Sequence, residues 1–411
     1  MGFEQSLLYI TTATELLTDN LALAAYSQVD WAFADSWSLT LGLRYTKEDR
    51  ELTRTQLHPD ASDLTLDGAP VNANPFIQGF YTSPSPWRGN LNTNHGWVSS
   101  PYPYDDQTQK VAFSSWNPMA SIQYLFDGAG AIDAGTAYIT VATGFLSGGL
   151  SENLSTESTI VNGQAYKKIG EYDPERVITY EVGVKLDAFQ NTLRFNTALF
   201  YSDYTDRQLT TITVDSDSNI APQTINAKKS VIMGWEVETI WIPLPDLDIT
   251  FNFALNKGDI VEYDDVRLVI PNSIPGCERV SLQADLCQVD RSDEDVPRLP
   301  SQTYFLAFQY NWKTGFGAII PRLQASYRKD LPGCFDRSSC LTGIYEHDEF
   351  DLSARLTWRS PRTNWRVSIF GSNLTNYRHI AGGIPLVDLM NTAGLQYNHP
   401  KSYGMELAYN W

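Results

Sequence analysis

The chain has 411 residues and a net charge of −18, room for two or three ordinary domains or one large barrel, with an acidity that argues against nucleic-acid binding. Aromatic residues make up 12% (22 Tyr, 18 Phe and 11 Trp), a composition that favours strands over helices. Apolar runs stay far short of the roughly 18 residues that a membrane-spanning helix needs, and the first residues lack the basic and apolar regions of a signal peptide.

In chain order, apolar and polar residues alternate with period two, the mark of strands with one apolar face. Trp37, Leu39, Leu41, Leu43 and Tyr45 alternate with Ser38, Thr40, Gly42, Arg44 and Thr46. The same pattern runs through Tyr180–Leu186, Leu247–Leu255, Tyr304–Trp312 and Leu352–Trp358. The chain ends on Tyr403, Met405, Leu407, Tyr409 and Trp411, set against Ser402, Gly404, Glu406, Ala408 and Asn410. Fourteen strands are predicted: residues 1–12, 19–33, 37–50, 111–126, 134–146, 173–188, 191–208, 226–241, 247–259, 301–312, 317–329, 346–359, 364–375 and 400–411.

The connections then sort into two kinds. Gaps at 34–36, 127–133, 189–190, 242–246, 313–316 and 360–363 are short. Those at 51–110, 147–172, 209–225, 260–300, 330–345 and 376–399 are longer, and 13–18 joins the first two strands. Short turns at one end and long loops at the other are the asymmetry of a transmembrane antiparallel β-barrel, which a sandwich or propeller has no reason to adopt. The apolar faces also end in rings: Trp37 and Tyr45, Trp235 and Trp241, Tyr304 and Trp312, Tyr403 and Trp411. Amphipathic rings at both ends of an apolar band match the two interfacial girdles of such a barrel. Arg44, Lys185, Arg194, Glu236, Glu238, Arg322, Arg355, Arg366 and Glu406 fall on the opposite, lumen-facing side.

Loop 51–110 carries Tyr81, Trp87, Trp97, Tyr102 and Tyr104, rigid aromatics suited to stacking on a flat siderophore, haem or sugar. They are the candidate ligand contacts; the alternative is a loop that clusters on itself. His58 and His95 in the same loop read as solvated side chains. Loop 260–300 is acidic, with Asp264, Asp265, Asp290, Asp293, Glu294 and Asp295, but it lacks EF-hand spacing and reads as a solvated loop. "EHDEFD" at Glu346–Asp351 looks like a metal cluster, yet alternate residues of a strand point to opposite sides, so the run cannot act as one site. No metal site and no cofactor are expected.

The cysteines fall in two close pairs, Cys277/Cys287 and Cys334/Cys340, without CxxC or zinc-type companions. Three pairings are possible. The local one, Cys277–Cys287 and Cys334–Cys340, is the simplest and fits an oxidising compartment. The five histidines lie in or beside loops, and GxSxG, HExxH and phosphate-cradling glycine loops are all missing, so an enzyme is not expected.

Several stretches resemble the barrel of TonB-dependent receptors: Ala22–Arg50, "AYITVATGFLSGGL" (Ala137–Leu150), Tyr172–Gln208 beginning "YDPERVITYEVGVKLD", and "WRVSIFGSNLTNYRH" (Trp365–His379). The "GFLSGG" and Y-x-P-E…E-x-G spacing is most similar to the iron–siderophore branch. This resemblance implies a 22-stranded barrel with a plugged lumen, of which the chain corresponds to the C-terminal part, without plug-like sequence or TonB box. It further implies a Gram-negative outer membrane, contact with lipid and lipopolysaccharide, and import of a scarce nutrient such as a ferric siderophore. The energy would come from the TonB complex acting through the missing N-terminal plug. The even strand count leaves a complete fourteen-stranded, passive porin-like channel as the alternative.

Overall fold

The computed structural model describes residues 13–59, 65–66, 69–70, 97–99, 106–161, 164–214, 220–268, 278–279, 286–290, 292, 295–332, 346–362, 364–386 and 392–409. Among the described residues, thirteen strands run through one antiparallel sheet, each paired with its neighbours in sequence order, with the short strand Trp97–Ser99 added beside Leu57–Pro59. They are β1 (Ala13–Ala34), β2 (Trp37–Pro59), β3 (Asp106–Asp127), β4 (Ile132–Leu146), β5 (Glu175–Ala188), β6 (Leu193–Val214) and β7 (Ile220–Leu244). The rest are β8 (Leu247–Glu262), β9 (Gln302–Tyr310, resumed at Trp312–Thr314), β10 (Gly317–Pro332), β11 (Glu346–Arg359), β12 (Trp365–Ser372) and β13 (Ser402–Tyr409). They match the second to fourteenth predicted strands in order; segment 1–12 and Trp411 lie outside the described residues.

The long-loop end departs from the sequence reading. β1 already runs at Ala13, so 13–18 is strand and not a connection. β2 reaches Pro59 and β3 starts at Asp106, which shortens the expected 51–110 loop from both sides. Residues 209–214 and 220–225 are strand, paired from Leu209↔Ile225 to Val214↔Ile220. The expected loops 147–172 and 376–399 hold hairpins, Gly149–Val161 with Gln164–Tyr172 and Ile380–Leu386 with Thr392–Tyr397. Within 260–300, Asp264–Leu268, Glu278–Arg279 and Leu286–Asp290 form a small three-stranded sheet. The physical reason is common to all. Beyond the lipid band neither face must be apolar, so main-chain pairing continues without the alternation that marks a strand in sequence.

Exposure follows the inverse of a soluble fold. In β13, Tyr403, Met405, Leu407 and Tyr409 are exposed while Gly404, Glu406 and Ala408 are partly covered. In β3, Trp116, Ile122 and Tyr124 are exposed, while Asn117 and Gln123 are partly covered and Ser121 is buried. Buried polar residues pair across strands on the covered side: Ser121 with Thr140 at 2.8 Å, Thr179 with Ser202 at 2.9 Å and Thr357 with Ser368 at 2.9 Å. A sheet whose apolar face is the open one is built to be covered by lipid.

Rings gather at both ends of that open face. Towards the long loops, Trp235, Phe253, Tyr304 and Tyr327 on β7–β10 follow one another at centroid distances of 5.5, 4.9 and 6.2 Å, and Tyr45 meets Trp116 at 4.6 Å. Towards the short turns, Trp37 meets Tyr124 at 4.8 Å and Trp365 meets Tyr409 at 4.9 Å. Between Trp37 and Tyr45, β2 advances roughly 26 Å at about 3.3 Å per residue, which once tilted is close to the height of an apolar band. The Trp365↔Tyr409 pairing sets the C-terminal strand's end beside the short turn that opens β12, as the sequence predicts.

The face opposite the apolar rows carries the predicted charges, of which Arg322, Arg355 and Glu406 are partly covered and the rest exposed. Arg355 and Arg366 both bond Glu406 at 3.0 Å, joining β11, β12 and β13. Glu181 accepts from the Tyr138 hydroxyl at 2.6 Å, Lys185 sits 5.4 Å from the same ring, and Arg194 pairs with Asp187 at 2.9 Å. Among the described residues β1 pairs only with β2 on the main path, and β13 only with β12, so the sheet is open at both edges.

Candidate ligand site at the long-loop rim

β4 ends at Leu146, where "GFLSGG" turns the chain off the sheet. At Gly148 an added Cβ would strike the Tyr172 carbonyl and the Phe113 ring, and at Gly149 the Tyr172 side chain, so the bend needs both glycines. Ser147, Gly148 and Gly149 are buried. The hairpin they start lies against β2 and β3 on one side and β7 on the other. Since β2 and β7 are five places apart in the sheet, the hairpin reaches across the strands between them. Gln109 of β3 hydrogen-bonds Glu171 on the returning strand.

"YDPE" clamps the base of this hairpin. Glu175 accepts from the Gln208 main-chain N–H at 2.8 Å, and the Gln208 amide donates to the carbonyls of Ser147 at 2.8 Å and Asp173 at 3.1 Å. Asn226 completes the clamp, donating to the Asp173 carbonyl at 2.9 Å and accepting from the Asp173 N–H at 2.8 Å. The motif residues behind the resemblance therefore position the hairpin. Beside them Leu209, Ala227, Ile260, Tyr263 and Val296 form a small apolar core that holds β6, β7 and β8 together above the girdle.

A second rigid patch follows β12. Asn373 donates to the carbonyls of Tyr377 at 2.9 Å and His399 at 3.0 Å and accepts from the Tyr377 N–H at 2.9 Å. Asn398 fixes the next residue, accepting from the His379 N–H at 3.1 Å. The turn sets His379 beside β11, where "EHDEFD" divides between two sides as its strand placement requires. Asp348 accepts from the Tyr327 hydroxyl at 2.7 Å, whereas His347 and Glu349 face His379, with 6.0 Å between the ring centroids. Burial pushes the His379 imidazole below its ordinary value, with Glu349 pulling it back. The sequence reading missed this grouping, because a strand pairing and a turn bring together residues thirty positions apart; the same-side pair His347-x-Glu349 was the available signal.

Of the predicted ligand contacts, Tyr81, Trp87, Tyr102 and Tyr104 lie outside the described residues. Trp97 is described in its backbone alone, as the start of a three-residue strand opposite Pro59 of β2. Cys277, Cys334 and Cys340 also lie outside, and Cys287 is described only as backbone opposite Arg267 and Arg279.

Known structures share this architecture. The ferric yersiniabactin uptake receptor FyuA from Yersinia pestis superposes with a TM-score of 0.61 at 17% identity, covering 96% of this chain and 46% of that one. The siderophore receptor PiuA from Acinetobacter baumannii gives 0.57 at 14% identity, over 96% and 44%. The ferric-catecholate import receptor Fiu from E. coli K12, in its closed form, gives 0.54 at 16% identity, over 96% and 44%. At these identities the likeness is one of fold, and the chain spans less than half the length of each. The family model for the "TonB dependent receptor-like, beta-barrel" matches residues 9–374, most of the chain, and the chain belongs to that family of outer-membrane barrels.

Proposed function

We propose that the chain forms the C-terminal part of the barrel of an outer-membrane receptor that binds a ferric siderophore and imports it with energy supplied through TonB. The observation that carries this is a sheet with exposed apolar rows on one face and charged residues on the other, in a chain of the TonB-dependent receptor family. A lipid-covered wall around a charged lumen suits a barrel filled by a plug and water. The rim hairpin stands at the long-loop end, from which ligand would enter, and Tyr81, Trp87, Trp97, Tyr102 and Tyr104 of the same loops are the proposed ligand contacts. The family is one of transport receptors, and the chain's reading as a non-enzyme accords with that. Deletion of the gene should abolish uptake of iron-59 presented as one ferric siderophore under iron limitation, and loss of TonB should do the same. Uptake that survives loss of TonB, together with solute leakage in liposomes, would favour the passive fourteen-stranded channel.

A further inference from the structure

Three ring nitrogens at the long-loop rim are buried without a hydrogen-bond partner: Nδ1 and Nε2 of His347 and Nδ1 of His379. Buried polar atoms are nearly always satisfied, so a cluster of orphans points to a missing ligand. The Nε2 atoms of His347 and His379 lie 3.6 and 3.5 Å from one oxygen, Glu349 Oε1. Two donors on a tetrahedral metal with bonds of about 2.0–2.2 Å stand roughly 3.3–3.5 Å apart, so both His–Glu edges are close to coordination length. The two imidazole rings stand 6.0 Å apart between centroids, and no three donors among the described residues converge on a point.

The surroundings hold the donors in place. Arg328 Nη1 bonds Glu349 Oε2 at 3.0 Å, which leaves Oε1 free to ligate. The Asn373 and Asn398 bonds fix the turn that carries His379. Side-chain exposures of 12%, 18% and 13% for His347, Glu349 and His379 leave a narrow way in. Two imidazoles with one carboxylate suit Zn²⁺, Ni²⁺ or Cu²⁺ and not the oxygen-seeking Ca²⁺ or Mg²⁺.

We propose that His347, Glu349 and His379 bind one divalent transition-metal ion directly, leaving a coordination position for water or a donor atom of an arriving ligand. The site does not depend on the siderophore reading, since it needs no chelate. The test uses the protein as the cell makes it, purified from outer membranes, stripped with EDTA and titrated with Zn²⁺ by calorimetry and with Co²⁺ by visible absorption. One equivalent should bind, the Co²⁺ bands should show tetrahedral nitrogen and oxygen donors, and Ca²⁺ should not compete. His347→Gln and His379→Gln should each weaken binding at least tenfold, with unchanged circular dichroism, while His58→Gln and His95→Gln should not. The proposal is overturned by absence of saturable binding, by full affinity in both rim variants, or by a thiolate charge-transfer band assigning the metal to cysteines. Siderophore uptake is scored separately, so either reading can fail without the other.

Discussion

Arg355 and Leu356 are consecutive, yet they meet different worlds. Leu356 is exposed on the apolar face, paired with Pro321 and Ile369, while Arg355 turns to the covered side and shares Glu406 with Arg366. Leu356→Arg should therefore cost about 2–4 kcal/mol near the bilayer middle. Arg355→Leu should cost far less, because Arg366 still bonds Glu406 at 3.0 Å. Urea unfolding of the two variants in lipid vesicles checks this, and equal costs would reverse the facing of β11. The cysteines supply a second prediction at this scale. Cys277 is expected to bond Cys287, and Cys334 to bond Cys340, each closing a short ring worth at most about 2–3 kcal/mol. Mass spectrometry of unreduced peptides from outer-membrane protein should find both links, and four alkylatable thiols would contradict them.

The two-residue turn between β7 and β8 shows how an element is closed at the short-turn end. Asp246 takes the left-handed conformation, φ 69°, which aspartate tolerates better than most residues. Its carboxylate pairs with Lys313 at 2.7 Å and accepts from Asn311 at 3.2 Å, and its carbonyl accepts from the Asn311 N–H at 2.8 Å, tying this turn to the next strand pair. The hydrogen bond from Lys313 holds the carboxyl below its ordinary 3.8. A lowered folded value means stabilisation that is present above the unfolded value and lost as pH falls through the folded one. Asp246→Asn keeps the backbone preference, so it should remove only this acid-sensitive part. Wild type and variant should differ in urea midpoint near neutral pH and converge in strong acid; a constant gap would show that Lys313 is not the partner that matters. Such turns, and the strands between them, were legible in sequence because lipid enforces alternation from Trp37 to Tyr45 and again in each later strand. The rim was not: Leu209–Val214 and the 149–172 hairpin obey main-chain pairing alone. Nor could alternation show that Ser147, Asp173, Gln208 and Asn226 meet, since that depends on how a hairpin folds across the sheet.

At the scale of the molecule, the thirteen strands of the described residues leave two edges, β1 and β13. Along the free side of β1 every second residue points both an N–H and a C=O outward. A tilted strand crosses the bilayer with about 9–11 residues, so roughly ten such groups per edge would lie in hydrocarbon. Each costs several kcal/mol there, a total far above the few kcal/mol to roughly 15 kcal/mol by which domains are stable. The two edges must therefore be met by further strands, whether segment 1–12 or others, and the chain spans 46%, 44% and 44% of FyuA, Fiu and PiuA. Expressed alone, these 411 residues should give no compact band that shifts on heating in electrophoresis, and fusing the upstream strands of the same barrel should restore one. The contrary outcome has its own signature. In a background with the four native cysteines replaced by serine, Met405→Cys on β13 would be cross-linked to cysteines scanned along residues 1–12. A ladder of cross-links at alternate positions would mean that segment 1–12 pairs with β13 and closes a fourteen-stranded ring. Without such a ladder the fourteen-stranded ring is excluded.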